Sequence, residues 1–299
     1  MRTYRGDTFA DVYEKALRDT LENPDYTSKP RGMEIKEICN AALVIDDPYF
    51  PLYENQKRSS QFKYIAGETI WYFTGRKDID FISKYSKFWS QLDNGDGTVN
   101  SAYGNLIFNE PLSDGRNQYQ WALDSLIEDK DSRQSIIHFN KPSHQWKGNK
   151  DFVCTLNGIF QIRDNRLNFT VDMRSNDLIL GTATDVAFFC LLQQQMLKHL
   201  KLTYPNLKMG SYTHIVHSLH IYERHFNLAE EIKANRVSTG QGHTFELKDK
   251  FIDYDSELNE ISITQAGIEF ITRIDDMITH KPKSNRQDYK EILEDYFKI

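Results

Sequence analysis

Cysteine is scarce. Cys39, Cys154 and Cys190 are the only three in 299 residues, too few for a disulfide framework and not spaced as a zinc site. A reducing, cytoplasmic setting is the expectation, the host cytoplasm if a phage encodes the chain. No apolar run nears a bilayer span, since the longest cover residues 41–45 and 186–192, and the opening MRTYRGDTFADVYEK has no apolar signal region. No membrane association is expected. Basic residues are the minority, 37 Lys and Arg against 43 Asp and Glu. The net charge of −6 argues against direct DNA binding by a broadly basic surface and leaves room only for a local basic pocket. Internal repeats and low-complexity tracts are also missing.

What is present is an ordinary globular balance, 39% hydrophobic and 27% charged, long enough for one large core. With no clear linker, the expectation is one α+β domain over residues 1–299, with 227–299 as a C-terminal elaboration. Asp7 or Thr8 opens a helix whose apolar stripe is Phe9, Val12, Tyr13, Ala16, Leu17 and Leu21. Residues 23–32 read as a loop, the following stretch to Ile45 as a strand, and 62–73 as a buried helix. Helix is expected over 121–128, a short strand over 135–139 and a long helix from about Asp185 to Leu202. Residues 152–162 and 166–173 are rich in β-formers around Asp164-Asn165, a pair suited to a tight hairpin turn. A regular register sets Cys154 opposite Ser175 and diagonal to Arg174, unless a bulge shifts it. Residues 214–226 read as a strand running into a loop, and the chain ends in an amphipathic helix over 289–297.

Several groups invite chemistry, each with a plainer reading beside it. Cys154 is either a small core residue or a thiolate nucleophile helped by the Arg174 cation. Cys39 and Cys190 read as core. The polar run Met173-Arg174-Ser175-Asn176-Asp177 is a surface loop or a phosphate clamp. Asp185 is a helix N-cap or a carboxylate aimed into a pocket. Glu68 is a charge in an apolar helix, exposed on a polar face or functional. His214, His217, His220 and His225 crowd together, yet strand alternation splits them between two faces and no familiar ligand spacing accompanies them, so no metal is expected.

Taken together, these segments resemble the thymidylate synthase superfamily, most like its phage deoxycytidylate hydroxymethylases. The resemblance runs from about Arg31 to Phe226. It is carried by Asp151-Phe152-Val153-Cys154-Thr155, by Asp172-Met173-Arg174-Ser175-Asn176-Asp177 with Gly181, and by Ser218-Leu219-His220-Ile221-Tyr222-Glu223-Arg224-His225-Phe226. Asn100-Ser101-Ala102-Tyr103-Gly104 and Asp131-Ser132-Arg133 add further matches.

The resemblance implies a large mixed sheet packed with helices and a sheet-to-sheet homodimer. It implies Cys154 as the nucleophile on pyrimidine C6, Glu68 as organiser of water and protons, and Tyr103 as an active-site tyrosine. Trp89 falls near the folate, and Asp177 and Gly181 in the folate site. Arg174 and Ser175 fall on the nucleotide phosphate, and His220 and Tyr222 on the sugar. Arg133 would reach the neighbouring subunit's phosphate site, and Arg31 lies in a loop that should supply another phosphate arginine. The implied cosubstrate is 5,10-methylenetetrahydrofolate. In the implied reaction thiolate addition makes C5 nucleophilic toward its one-carbon unit, and water then gives a hydroxymethyl group or hydride a methyl group.

The departures are informative. Gln134 stands where thymidylate synthases usually carry a second arginine. Met173 replaces the glutamine of the methylating enzymes and matches the phage hydroxymethylases. Asp185 stands where an asparagine reads uracil, as in cytosine-specific enzymes. A carboxyl group accepts from the cytosine amino group and shares a proton with N3, whereas an ionised one repels the uracil O4. The expected activity is therefore conversion of dCMP to 5-hydroxymethyl-dCMP. The alternatives are a dUMP hydroxymethylase or thymidylate synthase, a dCMP methylase, and a CMP hydroxymethylase. Outside the class stand a metal-dependent hydrolase and a non-catalytic nucleotide-binding protein.

Overall fold

The structure, a computed structural model, describes residues 1–237, 242–255, 260–281 and 283–299. Eight strands form one mixed sheet: β1 (Arg2–Gly6), β2 (Tyr26–Ser28), β3 (Ile35–Ile45), β4 (Ile136–His138), β5 (Thr155–Arg163), β6 (Arg166–Met173), β7 (Asn176–Asp177) and β8 (Lys208–Tyr222). The order is β1-β3-β8-β6-β5-β4, with β2 added on β3 and β7 on β8. β8 runs antiparallel to β3 and parallel to β6 and β7. One end of the sheet therefore gathers the start of β5, the end of β6, all of β7, the end of β8 and the start of β3. Cys154, the Arg174–Asp177 run, His220, Tyr222 and the Arg31 loop all belong to that end.

The helices are α1 (Phe9–Glu22), α2 (Phe62–Phe73), α3 (Ile79–Ile82), α4 (Tyr103–Phe108), α5 (Gln118–Glu128), α6 (Thr182–Thr203), α7 (Phe226–Ala234), α8 (Gln265–His280) and α9 (Arg286–Tyr296). Thr8 caps α1 through a capping box with Asp11, and the stripe Phe9, Val12, Tyr13, Ala16, Leu17 and Leu21 is buried as its spacing predicts. α6 is enclosed on nearly every side, so its polar residues need partners. Gln193 Nε2 donates to Leu167 O in β6 and Ser211 O in β8. Gln194 pairs with Phe245 O and Leu247 N, and Gln195 with Ile252 O and Phe251 N. Three consecutive amides thus tie the sheet and the C-terminal segment to one helix.

That segment adds β9 (Glu246–Leu247), β10 (Ile252–Asp255), β11 (Glu260–Ile263) and β12 (Phe297–Lys298), paired as β9 with β12 and β10 with β11. α9 lies on α2, with Arg286 Nε donating to Ser60 O at 3.0 Å and its guanidinium 4.4 Å from the Phe62 ring. Ile299 packs against the hydrophobic core.

The β5–β6 hairpin turns on Asp164 and Asn165, with φ of +49° and +57°, the left-handed pair its two-residue turn requires. Phe160 and Phe169 stack across it at 3.9 Å between centroids. The regular register holds from Arg163↔Arg166 to Asn157↔Asp172, and an irregularity then moves Thr155 opposite Met173. Cys154 is consequently bonded to Arg174, whose N–H donates to Cys154 O at 2.9 Å, and not set opposite Ser175. An extra residue in one strand takes up the offset.

Other differences from the sequence reading are local. β1, and β2 inside the expected 23–32 loop, form because β8 fills one edge of β3 and leaves the other open, where β2 pairs with Ile35–Glu37 and β1 with Ala41–Ile45. α6 begins before Asp185, with Gly181 at its N-cap, so Asp185 lies within the first turn and is not the cap. The loop expected at the end of 214–226 is a 3-10 turn, Glu223–His225, that leads directly into α7.

Candidate active site

Cys154 stands immediately before β5, where the bulge turns the chain. The Arg174 guanidinium is fixed beside it. Nε donates to Val153 O at 3.0 Å, Nη2 donates to Phe152 O and lies 3.4 Å from Cys154 Sγ, and the group sits 4.9 Å from the Phe152 ring. Burial nevertheless pushes the thiol up from its usual range, reinforced by Asp185 and Asp151, while Arg174 and Arg31 pull it down. The cation expected to activate the sulfur is present, but the effect of desolvation outweighs its pull. Arg31 has φ +52° on an exposed loop, and its charge reaches the same sulfur.

Glu68 is buried in α2. Its Oε1 accepts from Tyr64 Oη at 2.7 Å and Tyr72 Oη at 3.2 Å. Trp89 Nε1 donates to Tyr64 Oη at 3.1 Å, giving a directed run from indole to phenol to carboxyl. Burial, then the charge of Asp185, raises the Glu68 carboxyl to about 8. Tyr103 is buried and stacked on Tyr72, and its Oη accepts from Thr155 Oγ1 at 2.8 Å. The segment bearing Tyr103 is moored to the segment bearing Cys154, because the Asp151 carboxylate accepts from both Ser101 N and Ser101 Oγ at 2.6 Å.

Asp185 Oδ2 accepts from Asn176 Nδ2 at 2.7 Å, and burial raises this carboxyl to about 7. Asp185 and Cys154 both keep some accessible surface while the surrounding protein desolvates them, as groups at the floor of a concave site do. The charge of Asp185 shifts the ionisation of Cys154, Glu68 and Tyr103, so the four lie within electrostatic reach of one another. A Cβ on Gly181 would stand 3.0 Å from Asn176 Nδ2 and 3.2 Å from Asp185 Oδ2, so a bare backbone there clears space for their bond.

β7 sets Asn176 and Asp177 beside Leu219 and His220. Asp177 Oδ1 accepts from Ile179 N at 2.8 Å, and its buried Oδ2 has no partner among the described residues. His220 is buried, with Nδ1 3.0 Å from Ser218 O, and meets Tyr222 edge to face. Ser175 is half-buried beside Arg174. Arg133 is exposed and lines a separate groove with Trp121, Gln134, Ile136 and His138, none of them from the Cys154 cavity. His217 is on the outer face with Asp172 and Asn40, while His214 is buried on the inner one. Among the described residues no three His, Cys, Asp or Glu converge as a metal site.

Sequence reasoning missed Tyr64 and Tyr72, and it named Asn176 and His214 without their link to Asp185. The two tyrosines were findable, since they lie four residues either side of Glu68 on one helix face. Asn176 and His214 carried no such signal, because strands distant in sequence bring them together.

A sulfur beside a fixed guanidinium, two carboxyl groups held near neutrality and an array of phenols can add a nucleophile to a flat ring and move protons on its far edge. The profile of the thymidylate synthase family matches residues 11–269. The deoxycytidylate 5-hydroxymethyltransferase of Enterobacteria phage T6 is 33% identical over 217 residues, covering 70% of this chain and 85% of that protein. The deoxyuridylate hydroxymethyltransferase of Bacillus phage SP01 is 28% identical over 232 residues, covering 74% of this chain and 59% of that protein. Thermostable thymidylate synthase A from Bacillus subtilis shares the fold, with a TM-score of 0.65 at 20% identity over 86% of this chain and 95% of that one.

Proposed function

This chain belongs to the thymidylate synthase family and is a one-carbon transferase, and from that premise we propose that it converts dCMP to 5-hydroxymethyl-dCMP with 5,10-methylenetetrahydrofolate. The observation that carries the choice of base is Asp185, a desolvated carboxyl held at about 7 whose charge reaches Cys154. Near neutrality it accepts from the cytosine amino group and lends a proton to N3. Relatives named for deoxycytidylate and for deoxyuridylate both match, so the base is the point to be tested.

In this reading Cys154 gives up its thiol proton to water and its Sγ bonds to C6 as the C5–C6 double bond opens, with electron density moving toward N3, where Asp185 supplies the stabilising proton. C5 loses its own proton once it carries the one-carbon unit, and the Cys154 thiolate is expelled after water has added. Arg174 stabilises the thiolate as it forms and, with Ser175, Arg31 and the partner chain's copy of Arg133, holds the phosphate. His220 and Tyr222 hold the sugar. Glu68, oriented by Tyr64 and Tyr72, holds the water that adds at the end, and Tyr103 closes the cavity wall. The orphaned Oδ2 of Asp177 suits a ring N–H donor such as a folate pyrimidinone carries, and Gly181 and Trp89 complete that site. Bound there, methylenetetrahydrofolate supplies the one-carbon unit.

A homodimer formed sheet to sheet is part of the proposal. A half-buried row, Val44, Thr213, Thr170, Ile159 and Ile136, crosses five neighbouring strands in register on the outer face, which suits a sheet covered by a second copy. The activity is tested by incubating the protein with dCMP or dUMP and methylenetetrahydrofolate and weighing the product. Hydroxymethyl-dCMP is expected; a methyl product or turnover of dUMP alone overturns the assignment.

A further inference from the structure

Behind Asp185 runs a buried hydrogen-bond chain. Tyr212 and His214 lie on β8, two residues apart on its inner face, and both are fully buried. Tyr212 Oη is 2.8 Å from His214 Nδ1, His214 Nε2 is 3.2 Å from Asn176 Oδ1, and Asn176 Nδ2 is 2.7 Å from Asp185 Oδ2. Burial presses the imidazole down to about 3, so it is neutral and has one donor and one acceptor nitrogen. With Asn176 Nδ2 donating to Asp185, its Oδ1 can only accept, which puts the ring proton on Nε2 and leaves Nδ1 to accept from the Tyr212 phenol. The Nε2 N–H donates to the Asn176 carbonyl oxygen, and the Asn176 amino group is then left facing Asp185.

We propose that His214 is a positioning residue for base recognition, locking the Asn176 amide with its amino group toward Asp185 so that Oδ2 stays an acceptor and the proton Asp185 carries sits on Oδ1. The inference rests on the reading that Asp185 recognises cytosine. Turning the Asn176 amide over would set its carbonyl oxygen against Oδ2, force a proton between them and take that proton from the face available to the ring. Gly181 belongs to the same device, since a side chain there would strike both Asn176 and Asp185. None of the groups in the chain behind Asp185 has to touch the nucleotide for its effect to be felt there.

Two measurements test this. The first is the side-chain 15N spectrum of histidine-labelled full-length protein at pH 7, with His214 assigned by His214→Gln. Nδ1 unprotonated and Nε2 protonated is expected; the opposite tautomer, or an imidazolium, overturns the inference. The second is the ratio of kcat/KM for dCMP over dUMP in wild type, Asp185→Asn, His214→Phe and His214→Gln. His214→Phe fills the space without a donor and should cut the ratio by about tenfold. His214→Gln places an amide N–H near the Nε2 position and should restore it to within about threefold. If Asp185→Asn lowers the ratio and His214→Phe does not, the positioning role fails while base reading by Asp185 stands. If Asp185→Asn leaves the ratio unchanged, the base reading fails and takes this role with it. Should His214→Phe not fold, Tyr212→Phe removes one oxygen from the core. It should then give mixed His214 tautomers and a ratio lowered several-fold; an unchanged tautomer and ratio overturn the inference.

Discussion

Nη2 of Arg174 lies 3.4 Å from Sγ of Cys154, and the same guanidinium is tied to the carbonyl oxygens of Val153 and Phe152. The cation cannot swing away from the sulfur without breaking two bonds to the segment that carries it. Its field opposes a burial effect that pushes the thiol up.

Arg174→Gln removes the opposing charge, so the Cys154 thiol rises further. Peptide-resolved alkylation by iodoacetamide at pH 8 should slow several-fold at Cys154 and stay unchanged at Cys39. An unaltered rate at Cys154 would show that the guanidinium does not act on the sulfur.

Glu68→Gln keeps the shape of the carboxyl and removes its proton chemistry. Release of tritium from C5 of labelled dCMP should fall on the order of 100-fold while nucleotide affinity is retained. Tyr64→Phe, which strips the shorter of the two bonds to Oε1, should cost about tenfold. Loss of binding with turnover per bound complex preserved would move Glu68 out of the chemistry.

The raised carboxyls carry a stability signature. A group at about 7 in the folded state and 3.8 as the free side chain binds more protons folded than unfolded between those values, so stability falls as pH climbs across the window. Asp185→Asn abolishes that loss. It should raise the melting temperature at pH 8, by the equivalent of a few kcal/mol at about 1.4 kcal/mol per pKa unit, and have little effect near pH 4. Glu68→Gln, relieving a carboxyl at about 8, should do the same. Equal shifts at both pH values would contradict the assigned ionisation.

Arg133 lines a groove apart from Cys154, which is the arrangement a residue serving a second subunit requires. Cys154→Ala and Arg133→Ala should each be nearly inactive alone. Mixed after reversible dissociation, they should recover about a quarter of wild-type activity, because each mixed dimer has one intact site. No recovery, with mixed dimers shown to form, would place Arg133 in its own subunit's site or in none.

Much of this architecture was legible in the residues. The α1 stripe, the apolar α2 interval and the Asp164-Asn165 turn each follow a local rule, and each forms as read. The hairpin register was legible only as far as Asn157, because the irregularity beside Cys154 has no local composition that announces it. Cys154, Glu68, Asp185 and Tyr103 were nameable from motifs, and the charge of Asp185 reaches the other three, but what tunes them was not nameable. The thiol was read as lowered by Arg174, whereas burial wins, a balance fixed by packing that no spacing encodes. Asn176 was read only as part of a polar run. Its bond to Asp185 depends on β7 lying against β8, and its bond to His214 on residues 38 apart in the chain.

The most direct test of the central claim uses 5-fluoro-dCMP and 5-fluoro-dUMP, each incubated with methylenetetrahydrofolate and the wild-type protein and analysed by intact mass and peptide mapping. Cys154 attacking a cytosine that Asp185 recognises predicts a covalent ternary adduct on the Cys154 peptide with the cytosine analogue and little with the uracil analogue. An adduct with the uracil analogue alone, or none with either, contradicts it.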